Sequence, residues 1–146
     1  MQVSQTQSSD VEQVIELWNN GDFDKVGTLM ADDQVWVHPS FSLTGSEAVL
    51  NRVRADLAGF PDRRINPTKW VEEGDTVVVE YEFTGTNTGP YSIPDGGELA
   101  PTGQRMTLRG VDIFEVRDGK TAAHRTYYDR LPTMIQAGLV GPVPQP

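Results

Sequence analysis

Residues 105–129 read RMTLRGVDIFEVRDGKTAAHRTYYD, and the fold turns on how this stretch pairs with itself. Met106 to Val116 and Lys120 to Tyr128 alternate with period two and are rich in β-branched and aromatic residues. Asp118-Gly119 stands between them as a hairpin signal. On the first strand Leu108, Gly110, Asp112, Phe114 and Val116 share one face, and Arg109, Val111, Ile113 and Glu115 the other. On the second, Ala122, His124, Thr126 and Tyr128 alternate with Ala123, Arg125 and Tyr127. A two-residue loop would set Asp112 beside Arg125. A three-residue loop with left-handed Gly119 and a bulge would set it beside His124 or Thr126. The second pairing is expected, because it gathers Arg109, Glu115 and Arg125 on one wet face. The other face is then apolar with a few converging polar groups, the composition of a small-molecule pocket wall.

Upstream, Ser9 or Asp10 can cap a helix whose stripe is Val11, Val14, Ile15, Leu17 and Trp18, ending near Asn20-Gly21. Asp22 or Asp24 opens a short second helix, Gln34 to His38 reads as a strand stopped by Pro39, and Gly45-Ser46-Glu47 starts a third helix. Strands Arg64 to Val71 and Thr76 to Thr84 follow, then a turn-rich loop, Gly85 to Gly103, of a length that predicts a lid or mouth. Arg130 to Gln136 reads as a last helix capped by Asp129, and residues 1–8 and 139–146 as flexible tails. Helices first and mostly antiparallel strands after is an α+β arrangement: a curved sheet wrapped around the N-terminal helices.

The 146 residues suit one domain, 1–146, with one core. There is no apolar run of membrane length and no signal peptide, so a cytoplasmic protein is expected. Zero cysteines exclude disulfides and thiolate zinc sites. A net charge of −9 argues against nucleic acid or an anionic membrane as a partner.

Trp18-Asn19-Asn20-Gly21-Asp22, His38-Pro39, Gly45, Phe60-Pro61-Asp62, Gly85-Thr86-Asn87-Thr88-Gly89, Pro101-Thr102-Gly103, Asp118-Gly119-Lys120 and Tyr127-Tyr128-Asp129 occur in that order. The succession resembles the SnoaL-like polyketide cyclases of the nuclear-transport-factor-2-like superfamily, to which limonene epoxide hydrolases are related. The resemblance implies a cone-shaped α+β fold around an apolar cavity, a homodimer formed through the sheet, and aldol ring closure without metal or organic cofactor. It puts the family's acid–base Asp at Thr126, the His or Asp facing it at Asp112, the Asn before Pro at His38, and an aromatic wall position at Trp18. Threonine is no general base at neutral pH, so the family's mechanism does not transfer unchanged.

A carboxyl group in mid-strand between Val111 and Ile113 is unusual, and burial there suits acid–base work unless Asp112 merely pairs with His124 or Arg109. An Asp112–His124 pair would orient the ring and leave one nitrogen free to move a proton; the bland alternative is a wet histidine near the mouth. His38 shares a face with Trp36 and Gln34 and either orients a substrate carbonyl or caps its strand. The expected catalytic set is Asp112, His124 and His38. Substrate contacts are expected from Trp18, Trp36, Tyr81, Phe114, Thr126 and Tyr128, and no metal is expected. The expected function is acid–base proton transfer, such as cyclisation or isomerisation, on a hydrophobic oxygenated polyketide or terpenoid. The alternatives are a non-catalytic binding protein of the same fold and an epoxide hydrolase.

Overall fold

The hairpin register is the expected one, reached by a different device. Asp112 lies opposite Thr126 and Phe114 opposite His124. The turn itself has two residues, with Arg117 opposite Lys120 and both Asp118 (φ 53°) and Gly119 (φ 74°) left-handed. The expected three-residue loop is therefore replaced by a tight turn of the kind whose twist matches its strands. The shift comes from a bulge further on, between Glu115/Val116 and Ala123/Thr121, where Ala122 is the extra residue. Inward parity flips there, so that Thr121, not Ala122, is buried with His124 and Thr126.

The computed structural model describes residues 6–93 and 97–141. The helices are α1 (Gln7–Asn20), α2 (Phe23–Thr28), α3 (Ser46–Gly59) and α4 (Arg130–Gln136). The strands are β1 (Met30–His38), β2 (Phe41–Thr44), β3 (Arg64–Glu73), β4 (Thr76–Thr86), β5 (Tyr91–Ser92), β6 (Glu98–Leu99), β7 (Arg105–Arg117) and β8 (Lys120–Tyr128). Six form one curved sheet in the order β2-β1-β8-β7-β4-β3, antiparallel except where β1 runs parallel to β8. β5 and β6 pair separately inside the long loop. The expected α+β fold, a curved sheet with N-terminal helices, is the one observed.

Several boundaries differ. Thr6, not Ser9 or Asp10, caps α1 by accepting from the Ser9 N–H at 3.2 Å. Residues 6–8 therefore form the cap and first residues of the helix, and the Ser8 N–H also donates to Glu72 at 2.6 Å. β1 begins at Met30, four residues before the alternation becomes legible, because exposed Asp32 and Asp33 interrupt it. β2 was not expected: Pro39 ends one strand, and the chain folds back at once so that Phe41 pairs with His38. The rest of the 1–8 and 139–146 segments, residues 1–5 and 142–146, lies outside the described residues.

Val11, Val14, Ile15 and Trp18 of α1 pack with Val49 and Val53 of α3 against Trp36, Val77, Val79, Phe114 and Val116 of the sheet. Burying this apolar surface is the main drive to fold. Pro67 lies on the edge strand β3, where no neighbour needs its missing N–H.

Candidate active site

Register alone builds the centre of the site. On β8, His124 stands level with Trp36 of β1 on one side and Phe114 of β7 on the other. Neighbouring strands lie about 4.8 Å apart, close to the spacing of stacked rings. The His124 ring accordingly lies between Trp36 (centroids 4.9 Å apart, planes at 8°) and Phe114 (4.3 Å, 12°). Trp18 approaches from α1 at 5.5 Å.

His124 is 1% exposed and Asp112 4%. His124 Nε2 lies 2.9 Å from Asp112 Oδ2 and 3.3 Å from Thr126 Oγ1, and Thr126 accepts the Trp36 Nε1–H at 2.9 Å. A carboxylate only accepts, so this geometry puts the hydrogen on Nε2 and leaves Nδ1 with a lone pair in the neutral ring. Nδ1 is buried and has no hydrogen-bond partner among the described residues. Such a nitrogen, backed by a carboxylate, can take a proton.

The pattern over residues 10–137 matches the model of the SnoaL-like polyketide cyclases. The chain belongs to this family. That membership makes it, at the level of the family, a polyketide-related enzyme. Three solved structures share the fold. AclR, a proposed hydroxylase from Streptomyces galilaeus, is 22% identical with a TM-score of 0.79 over 95% of this chain and 85% of its own. IdmH, a proposed polyketide cyclase from Streptomyces antibioticus, is 24% identical with a TM-score of 0.76 over 92% and 99%. A protein of ketosteroid isomerase-like fold from Catenulispora acidiphila, in complex with trimethylamine, is 20% identical with a TM-score of 0.74 over 92% and 96%. No curated protein matches.

In this SnoaL-like chain the residues read as catalytic divide into two places. Asp112 and His124 meet in the interior, and Trp18, Trp36, Phe114 and Thr126 surround them. His38 lies outside the Trp36 ring (5.7 Å, edge-on), stacked on Phe41 at 4.2 Å and 5.4 Å from Tyr128. Its Nδ1 accepts the Ser40 N–H at 3.1 Å, just past the end of the strand, and the neutral ring presents Nε2–H as a donor. Burial lowers its pKa to about 4, partly opposed by the Asp112 charge and assisted by His124 and Arg52. Tyr128 is half-buried, and burial raises its phenol pKa. Tyr81 is buried on the inward face of β4, and burial, then Asp112, keeps its phenol protonated.

Arg52 and Asp56 were missed. They lie one turn apart on α3 as a close ion pair, and Arg52 Nη1 donates to the Ser92 carbonyl at 2.8 Å, tying β5 to the helix. The available signal was an opposite-charge i,i+4 pair bordering the apolar stripe. Asn87 anchors the base of the same loop: its amide donates to the Gly59 and Gly89 carbonyls at 3.0 Å each and accepts the Thr102 N–H at 2.9 Å. Among the described residues no cluster of His, Cys, Asp or Glu is placed to hold a metal ion, and no helix is long and apolar enough to cross a membrane.

Proposed function

We propose that the Asp112–His124 pair is the acid–base centre of a cofactor-independent enzyme acting on hydrophobic, oxygenated ring precursors of the polyketide type. The observation that carries the reading is the 2.9 Å contact of Asp112 Oδ2 with His124 Nε2, combined with a buried Nδ1 that has no hydrogen-bond partner among the described residues. Nδ1 takes a proton from the carbon next to a carbonyl, and the electron pair moves onto that oxygen. The resulting carbanion attacks a second carbonyl of the same molecule, and the proton on Nδ1 returns to the oxygen so formed. No co-reactant enters, and product and substrate are isomers. His38 Nε2–H and the Tyr128 hydroxyl at the mouth are donors for a substrate oxygen.

This mechanism moves the family's base across the hairpin. Thr126 stands where the family has its Asp, and its oxygen is held by Trp36 Nε1–H. Asp112 and His124 supply the pair from one strand over and two residues back. A planar, oxygenated aromatic ligand suits the rings of Trp18, Trp36 and Phe114. The related TerC was co-crystallised with polyporic acid, which supports that class. Val37, Val71 and Tyr127 are exposed on the outward sheet face and serve as the proposed homodimer surface. Cytoplasmic residence is part of the same proposal.

The test is deuterium uptake from heavy water at the carbon between two carbonyls of an aromatic polyketide ester. The wild type should accelerate it, and Asp112→Asn should slow it at least ~100-fold, the lower end of general acid–base contributions. Wild-type exchange in that variant removes Asp112 from the mechanism. Tight binding of the ester without exchange in the wild type would instead favour the non-catalytic binding protein.

A further inference from the structure

We propose that Tyr81 is the positioning residue of the Asp112–His124 pair, its hydroxyl pinning the carboxylate so that Oδ2 faces His124, and that residue 110 is glycine to admit that hydroxyl. The inference rests on the acid–base reading of the pair. Tyr81 lies directly opposite Gly110 on the neighbouring strand, and Asp112 is the next inward position along β7. A Cβ at residue 110 would stand 2.5 Å from the Tyr81 hydroxyl oxygen and 2.6 Å from its Cζ, closer than a side-chain atom tolerates. Gly110 is not among the positive-φ positions, so its backbone asks for no glycine. The space beside Tyr81 does.

The end of the ring therefore stands over Gly110, one inward position from the carboxyl group. Tyr81 is 6% exposed, Asp112 is the next inward position beside its hydroxyl, and Asp112 Oδ1 is buried without a hydrogen-bond partner among the described residues, an acceptor left open one side-chain adjustment from that hydroxyl. A protonated phenol donates, and a carboxylate accepts. The terminal torsion of an aspartate is broad, so a carboxylate held by His124 alone would swing. A second donor from the neighbouring strand stops that swing and fixes which imidazole nitrogen carries the hydrogen.

The readout is the tautomer of His124, which a purely packing role for Tyr81 would leave alone. The chain has two histidines, so isotopically labelled histidine gives two ring systems in a nitrogen-detected NMR spectrum, separated with a His38→Asn variant. The wild type should hold His124 with its hydrogen on Nε2. Tyr81→Phe, which deletes one oxygen and keeps the ring, should lower the ratio of Nε2–H to Nδ1–H about fivefold, the scale of one net hydrogen bond. His38 signals should not move. Gly110→Ala should do the same by displacing the phenol; should it fail to fold, Tyr81→Phe decides alone. Unchanged His124 signals in Tyr81→Phe, with altered ones in Asp112→Asn, would reduce Tyr81 to packing and leave the pair standing. Unchanged signals in Asp112→Asn would remove the pair itself, and the acid–base reading with it.

Discussion

The two histidines stand one indole apart and meet opposite surroundings. His124 has a carboxylate on one nitrogen, no hydrogen-bond partner on the other among the described residues, and aromatic rings on both faces. His38 has its lone pair occupied by the chain's own Ser40 N–H, no carboxylate within bonding distance among the described residues, and burial pushing its pKa to about 4. The same side chain keeps its lone pair open in one place and has it occupied in the other. What separates them is position along the strand: β1 and β8 each lie between two strands, but His124 sits in mid-strand level with Trp36 and Phe114, whereas His38 is the last residue of β1, opposite Phe41 of β2.

The contrast breaks most visibly in packing. Phe114, with no exposure, should cost about 3–5 kcal/mol on replacement by Ala, whereas the partly buried Phe41 beside His38 should cost clearly less. Urea unfolding measures both, and equal losses would erase the distinction between the surroundings of the two histidines.

Acid sharpens it next. The folded His38 pKa of about 4 lies below the ordinary 6.5, so the unfolded chain takes up its proton first. That contribution to stability is intact above pH ~6.5 and is lost as pH falls through the window toward ~4, by on the order of 3 kcal/mol at most. Solvent reaching the half-buried ring reduces that figure. The difference in urea midpoint between pH 7 and pH 4.5 should shrink in His38→Gln. An identical acid slope in both proteins would show that His38 is protonated in the folded state.

The smallest expected effect is at Thr126. Thr126→Val keeps the shape but removes the acceptor of the Trp36 Nε1–H, which should cost about 1–2 kcal/mol in unfolding free energy. A neutral result would mean that the indole finds another acceptor, and that the family's Asp position plays no part in holding the aromatic wall.

Much of the site was legible because strand parity is strict. Asp112, Phe114, His124 and Thr126 face inward, as the alternation required, and Arg125 and Glu115 pair on the outward face at 3.1 Å. Gly110 was placed on the right face but given no role, although an isolated glycine in mid-strand signals a close approach. β2 went unseen because a strand of four residues after Pro39 has too short a run to declare its period. The Asn87 anchors join groups fifteen and twenty-eight residues apart, which no local pattern encodes.

Residue types and their period of two determined the α+β class, the hairpin and the inward face of its strands, because a one-residue slip would turn every apolar side chain to water. Which inward residues touch was decided only by the folded sheet. The bulge at Ala122 replaced the turn as the source of register, and the parallel strand β1, some ninety residues away in sequence, brought Trp36 level with His124. Such contacts form only after the chain closes long loops, and their geometry is set by strand order and packing, which the local sequence does not carry.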